Sequence, residues 1–351
     1  MFQAYDIGAT YRENYDRGPR FSDAVASVPE SPVKDFLGFK VRSRIGIAAG
    51  LLLNSRWIEG YARRGFDILT YKTVRSAFRP CYDPPNWVFV EDAGEGAGPV
   101  FATDNPDSDP GKISSAVCFG MPSMAPDDWR KDVTRAKGCL GDGQILIVSV
   151  VATPEPAATP QAVAEDFAQC ARWARDAGAD VVEANFSCPN VCTPEGTIYQ
   201  DVSLSRRIAK VIRQSIGNAP LLLKVGYFGD AERQSSFLCE LNGVVDGITL
   251  VNGISRPVLH RDGTPVFGED YVNAGVLGRA IHDPSVASVA AARRIVARQQ
   301  LDLEILAVGG VSQVADMDDF FQAGAGAVML GSSPMYLPDL AIDAKHAHPE
   351  W

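Results

Sequence analysis

Eight short runs of apolar, largely β-branched residues recur along the chain, and each is followed by a stretch with helical periodicity. That alternation is the pattern of parallel βα units, because one parallel strand must be joined to the next by a long crossover, usually a helix. The runs fall at 45–49, 67–71, 144–150, 180–185, 221–225, 247–251, 304–308 and 327–330. Helices are predicted between them at 55–64, 127–136, 161–177, 204–216, 231–241, 284–299 and 314–323, with an eighth beginning after Ser332. The third helix is well punctuated, with Thr159 as cap, Pro160 at the first position and Gly178 as stop. Eight is the number that closes a parallel barrel. The rival architecture is an open doubly wound sheet, which needs a GxGxxG turn after an early strand to bind a dinucleotide, and the chain has none. The expected fold is therefore α/β, a (β/α)8 TIM barrel.

Such a barrel takes about 250 residues, so the 351 present leave material over. The expected organisation is an N-terminal extension over 1–40, a barrel over 41–340 and a tail over 341–351. Two insertions fall at 76–125, after strand two, and at 252–282, after strand six. Insertions after strands open on the C-terminal face of a barrel, where its active site is built, and loops of this length are commonly lids or disordered linkers.

Composition narrows the function. No apolar run approaches the ~20 residues that span a bilayer, and the polar start of the chain lacks the apolar core of a signal peptide. The expectation is a cytoplasmic protein without a membrane partner. Seven cysteines, an odd number scattered through a long chain, argue for reduced thiols. There is no CxxC pair, and the four histidines lack HExxH spacing, so no metal is expected. A net charge of −10 with dispersed basic residues gives no electrostatic basis for nucleic-acid binding.

Residues just beyond the barrel strands should converge on one mouth. Gly309-Gly310 after strand seven and Gly331-Ser332 after strand eight offer bare backbone N–H groups, the second pair beside an expected helix start. This is where barrels bind phosphate, and roughly three to one that reading outweighs tight turns that need glycine. Lys72 with Thr73, and Lys224, end strands two and five. Lysine is seldom buried unpaired, so two of them beside a phosphate loop suggest an anionic or electron-rich ligand, although either alone fits a surface lysine equally well. The run Asn185-Phe186-Ser187-Cys188-Pro189-Asn190 follows strand four and puts a thiol, a hydroxyl and two amides within six residues. Amides suit a planar ligand with alternating carbonyl and N–H edges, and an accessible thiol can act as base or nucleophile. Standing alone, the run would more simply be a turn that contains a cysteine.

Taken in order, these segments resemble the dihydroorotate dehydrogenases and the related dihydropyrimidine dehydrogenases over about residues 36–340. "GIAAGLLLN" is similar to the first strand and flavin loop, with Ala48, Ala49 and Gly50; "TYKTVRS" to the Thr-Lys segment of class 1; and "EANFSCPNV" to the class 1 catalytic loop. "LLLKVGYF", "AGVLGRAI" and "AVGGVSQVADMDDFFQAGAGAVMLGSS" resemble the flavin lysine, a glycine segment with Gly275 and Gly278, and the phosphate half. The resemblance implies an FMN enzyme of pyrimidine biosynthesis. Cys188 would be its acid/base, Lys72 would lie beside flavin and substrate, and Lys224 would touch the flavin. Asn185, Asn190 and Asn252 would hold a cyclic amide, with Asn185 also near the flavin. A hydride passes to flavin N5 while Cys188 takes a proton from the neighbouring carbon. Electrons would leave to a small molecule or a partner subunit, since no iron–sulfur cysteine set is encoded; a homodimer is the base-rate expectation.

Two departures bear on the substrate. Val117 stands where the family places an asparagine, with Ser123 closing that run and Asn86 a candidate replacement, and Gly253 stands where the family has serine or threonine. They leave open a second redox reading, a divergent enzyme acting on another conjugated carbonyl compound. From another class, a non-redox lyase or synthase with a phosphorylated substrate would explain the glycine loops but neither lysine nor "NFSCPN".

Overall fold

The computed structural model describes residues 3–91, 98–155, 157–187 and 194–351. Eight parallel strands close on themselves in chain order: β1 (Ile45–Ile47), β2 (Ile68–Arg75), β3 (Ile145–Val151), β4 (Val181–Asn185), β5 (Leu221–Lys224), β6 (Gly247–Leu250), β7 (Glu304–Val308) and β8 (Ala327–Leu330). Closure runs through the pairing of β8 with β1, Val328 opposite Ile45 and Leu330 opposite Ile47. The (β/α)8 barrel expected from the sequence is thus observed. The outer helices are α1 (Ser55–Ala62), α2 (Pro126–Gly138), α3 (Pro160–Asp176), α4 (Val202–Ile216), α5 (Ala231–Leu241), α6 (His282–Gln299), α7 (Val314–Gln322) and α8 (Leu340–Ala347).

Each helix buries one stripe. On α4 the inward residues are Ile208, Ala209, Ile212 and Ile216, at helical spacing. On α3 they include Ala164, Ala168, Ala171 and Ala174, whose small side chains let that helix lie close to the sheet. The Thr159 cap forms as read, its hydroxyl accepting from Ala162 N at 3.2 Å. The eighth helix is a correction. A 3-10 turn at Ser333–Met335 follows β8, and α8 begins only at Leu340, so no long helix opens directly onto Gly331-Ser332.

The two insertions do more than cover the mouth. Strands Trp87–Val90, Val100–Thr103 and Ser114–Val117 from the first, with Ile254–Leu259 and Asn273–Gly278 from the second, form a closed five-stranded barrel over the eight-stranded one. The two insertions are joined by antiparallel pairing of Asn273–Gly278 with Ser114–Val117, Gly275 opposite Val117, and by parallel pairing of Ile254–Leu259 with Val100–Thr103. At the other end of the main barrel a hairpin, Lys34–Phe36 with Phe39–Val41, buries Phe36 and Val41 against Ile68, Ile145, Val181 and Leu222 and so plugs the bottom. The N-terminal segment also carries a short helix, Tyr11–Arg17, capped by Thr10 and Glu13, and sends Tyr5 between Trp57, Trp87 and Phe119.

An ion pair is buried near the bottom. Lys345 Nζ lies 2.7 Å from Asp67 Oδ2, with both side chains almost wholly out of solvent. The same carboxylate accepts from Ser43 Oγ at 2.6 Å. Removing one partner would strand the other charge without solvent, which costs about 3–5 kcal/mol. Lys345→Met is expected to lower the unfolding free energy in urea by that amount, and adding Asp67→Asn should recover part of the loss.

Candidate active site

A cleft opens between the C-terminal ends of the main-barrel strands and the cap, with about 1050 Å³ of empty space counted out to its mouth. Ala48, Ala49 and Gly50 line it from beyond β1, Lys72 and Thr73 from β2, Asn185 from β4 and Lys224 from β5. Asn252, Gly309, Gly310, Gly331 and Ser332 line it from beyond β6, β7 and β8, and Gly278 lines it from the cap. Gly275 does not; it is buried in the cap ladder opposite Val117 and Ser255. Cys188 and Asn190 lie outside the described residues.

Lys72 does not end its strand as the sequence suggested. β2 continues to Arg75, and its pairing with β3 shifts register between Tyr71 and Val74. An irregularity of this kind re-aims side chains locally, and Lys72 and Thr73, which lie inside it, line the cleft. Thr73 Oγ1 lies 3.0 Å from Ser149 Oγ and accepts from Asn185 Nδ2 at 3.4 Å. Asn185 Oδ1 in turn accepts from Ser187 N at 3.2 Å, and Asn252 Nδ2 donates to Ser187 O. The two amides thus hold Ser187, the residue before Cys188, from both sides. Lys224 is 2% exposed and donates from Nζ to Ala49 O at 3.1 Å, which ties β5 to the loop after β1.

The glycines of the loop after β7 are required by space. A Cβ on Gly309, whose φ is +140°, would lie 2.2 Å from Ser285 Oγ, and one on Gly310 would lie 2.7 Å from both Gly278 O and His282 Cβ. Gly50 and Gly331 differ, since a Cβ there would meet no protein atom within 4 Å. At those two positions the missing side chain leaves room for a ligand to approach backbone.

Beneath the cleft floor sits a carboxyl group that sequence reasoning passed over. Glu183 on β4 is 2% exposed, and its Oε2 accepts from Thr249 Oγ1 at 2.9 Å. Burial pushes its pKa up; the Lys224 charge and the hydroxyls of Thr249 and Ser149 oppose that rise without cancelling it. A single Glu in an apolar strand was the available signal. Because the folded state holds this proton above the ordinary value of 4.5, the unfolded chain releases it first as pH rises. The group therefore costs stability progressively above about pH 4.5, up to its folded pKa. Glu183→Gln is expected to gain stability relative to the wild-type chain across that window, measured as the difference between urea midpoints at stepped pH.

The roof was also missed. Trp87, Phe119 and Met121 line the cleft, together with Val117 and Leu277. The available signal was the β-prone apolar run "WVFV" within a turn-rich insertion. Asn86 does not stand in for a ligand-binding amide: it donates to Tyr82 O at 3.2 Å and to Cys81 Sγ at 3.5 Å, and does not line the cleft. Ser123 is likewise committed, accepting from Arg75 N at 3.0 Å and donating to Met124 O at 2.9 Å. Beside this turn, burial raises the Cys81 thiol to about 11, against an opposing pull from Lys72.

Comparison with known proteins agrees with this geometry. Residues 140–343 match the family model described as dihydroorotate dehydrogenase. The chain is 33% identical to the dihydroorotate dehydrogenase of Dictyostelium discoideum over 96% of its own length and 95% of that protein. It is 29% identical to the catalytic subunit of dihydroorotate dehydrogenase B (NAD(+)) of a Thermoanaerobacter species, over 51% of this chain and 57% of that one. The corresponding subunit of Methanocaldococcus jannaschii is 22% identical over 62% of this chain and 66% of its own. A capped (β/α)8 barrel with these relatives is an oxidoreductase acting on CH–CH bonds. The chain belongs to the dihydroorotate dehydrogenase family. Among the described residues no helix is long and apolar enough to cross a membrane.

Proposed function

We propose that the chain binds FMN in this cleft and interconverts dihydroorotate, or a related cyclic amide, with its unsaturated counterpart. The observation that carries the reading is the convergence, in one cleft, of the glycine loops after β7 and β8 with two buried lysines and two amides. Gly309, Gly310, Gly331 and Ser332 present backbone that an anionic phosphate can approach, and the open space at Gly50 and Gly331 suits a bulky planar cofactor. Lys224, fixed on Ala49 O, supplies positive charge at the floor, where a reduced flavin carries negative charge. FMN, when bound, would supply the two-electron chemistry by accepting hydride at N5.

The chain's own residues have three tasks in this proposal. Lys72, 8% exposed and with its backbone N–H given to Leu52 O at 2.9 Å, stands between cofactor and substrate. Asn185 and Asn252, with Asn190, present amide edges to the ring of the substrate and, through Ser187, hold the loop that brings in Cys188. Cys188 takes the proton from the carbon beside a carbonyl, or returns it in the reverse direction. A thiol with an ordinary pKa of about 8.5 can serve both directions near neutrality once its surroundings tune it. We further propose that the electrons leave to a small molecule or a partner subunit, and that the protein works in the cytoplasm as a homodimer.

The purified protein is expected to be yellow and to bleach on anaerobic addition of dihydroorotate. Cys188→Ala should retain the visible band and lose bleaching by at least about 100-fold, the scale of general acid–base catalysis. Gly310→Ala, which forces a Cβ against Gly278 O and His282, should release the cofactor on dilution while the far-ultraviolet spectrum stays folded. A colourless protein that fails to take up added FMN would overturn the proposal and favour a phosphorylated substrate in the glycine loops.

A further inference from the structure

Glu183 carries a titratable group that does not line the cleft and is only 2% exposed. It lies on the same face of β4 as Asn185, two residues on, which does line the cleft. Its Oε2 accepts from Thr249 Oγ1 at 2.9 Å, whereas its Oε1 has no hydrogen-bond partner among the described residues. An ionised carboxylate there keeps one oxygen without solvent or donor, a large penalty that the neutral acid mostly escapes.

Three strands face this carboxyl. β3 brings Ser149, its neighbour in the β3–β4 ladder, β6 brings Thr249, and β5 brings Lys224. Lys224 stands beside Asn185 in the β4–β5 ladder and beside Thr249 in the β5–β6 ladder, so the hydroxyl that holds Glu183 adjoins the lysine of the floor. Burial pushes the carboxyl toward its neutral form, and the Lys224 charge pulls it back toward ionisation. Lys72, from β2, is a second cation of the same cleft. A negative charge arriving over this floor would repel the carboxylate and tip the balance toward the acid. A polar path also leads upward: Ser149 Oγ lies 3.0 Å from Thr73 Oγ1, and Thr73 lines the cleft.

We propose that Glu183 is a positioning residue that acts through Lys224: it binds a proton when the flavin over the floor is reduced, and so leaves the Lys224 charge to the reduced ring. The inference rests on the flavin reading of the cleft. Hydride from the substrate brings two electrons and one proton to the oxidised flavin, and the ring is left with a negative charge. The Glu183 carboxylate takes one further proton from solvent, by way of Thr73 and Ser149, and becomes the neutral acid. Reoxidation of the flavin returns that proton to solvent, so the cycle closes without a further reactant.

The test counts protons bound per two electrons, read from the slope of the flavin midpoint potential against pH in the flavin-loaded protein. Over part of the range from about pH 5 to about pH 9, the wild-type chain is expected to bind at least about half a proton more than Glu183→Gln. A merely structural role for Glu183 would shift the potential by the same amount at every pH and leave the slope unchanged. A second readout needs no variant. The reduced-minus-oxidised infrared spectrum of the wild-type protein should gain a carboxylic acid carbonyl band that moves in deuterium oxide. Equal slopes in the two proteins, or a wild-type spectrum without that band throughout the range, would overturn the inference and leave the flavin reading intact. A protein without flavin would overturn both.

Discussion

Closure of the barrel through the β8–β1 ladder is the constraint on which everything else depends. Once the last strand pairs with the first, eight C-terminal ends converge on a single mouth, and residues from 48 to 332 become neighbours without further instruction. The strands satisfy one another's backbone groups, and their largely apolar, fully buried side chains fill the lumen. Several polar residues of the barrel wall are linked. Thr73, Ser149 and Asn185 join at its upper end, and Thr249 meets Glu183 below. They sit where the apolar packing ends and the cleft begins, so the chemistry is carried on the rim of a rigid wall.

Much of this was legible in the sequence because strand and crossover helix have different hydrophobic periods. The strands at Glu304–Val308 and Ala327–Leu330 and the helix at Ala231–Leu241 fall where the pattern puts them. Positions just past a barrel strand are predictable for the same reason, which is why Lys224, Gly309 and Gly331 reached the cleft as expected. Lys72 reached it by another route, since the irregularity in β2 depends on how β2 pairs with β3, and no local pattern records that. Gly275 is tied to the flavin only by the resemblance of "AGVLGRAI" to the family's glycine segment; in the structure it is a rung of the cap ladder.

The cap itself was the least legible part. Its strands are only four to six residues long, and they pair with partners drawn from insertions far apart in the chain. A β-prone run is visible in "WVFV", yet nothing within the first insertion says that its partner lies beyond β6. The same holds for Tyr5, whose place between Trp57, Trp87 and Phe119 is set wholly by tertiary packing. Local reading finds elements that are stabilised locally or by regular repetition, and it misses those that exist only as mutual partners.

The cap barrel has a mechanical consequence. A lid formed by one loop swings on two stems and can open by breaking side-chain contacts alone. Here both insertions share main-chain ladders, with Gly275 across from Val117 and Val258 across from Val100, so the cover is stitched to the barrel at two places after β2 and two after β6. Lifting either insertion alone would mean unzipping hydrogen-bonded strands, so the cap can shift only as one vault on its four stems.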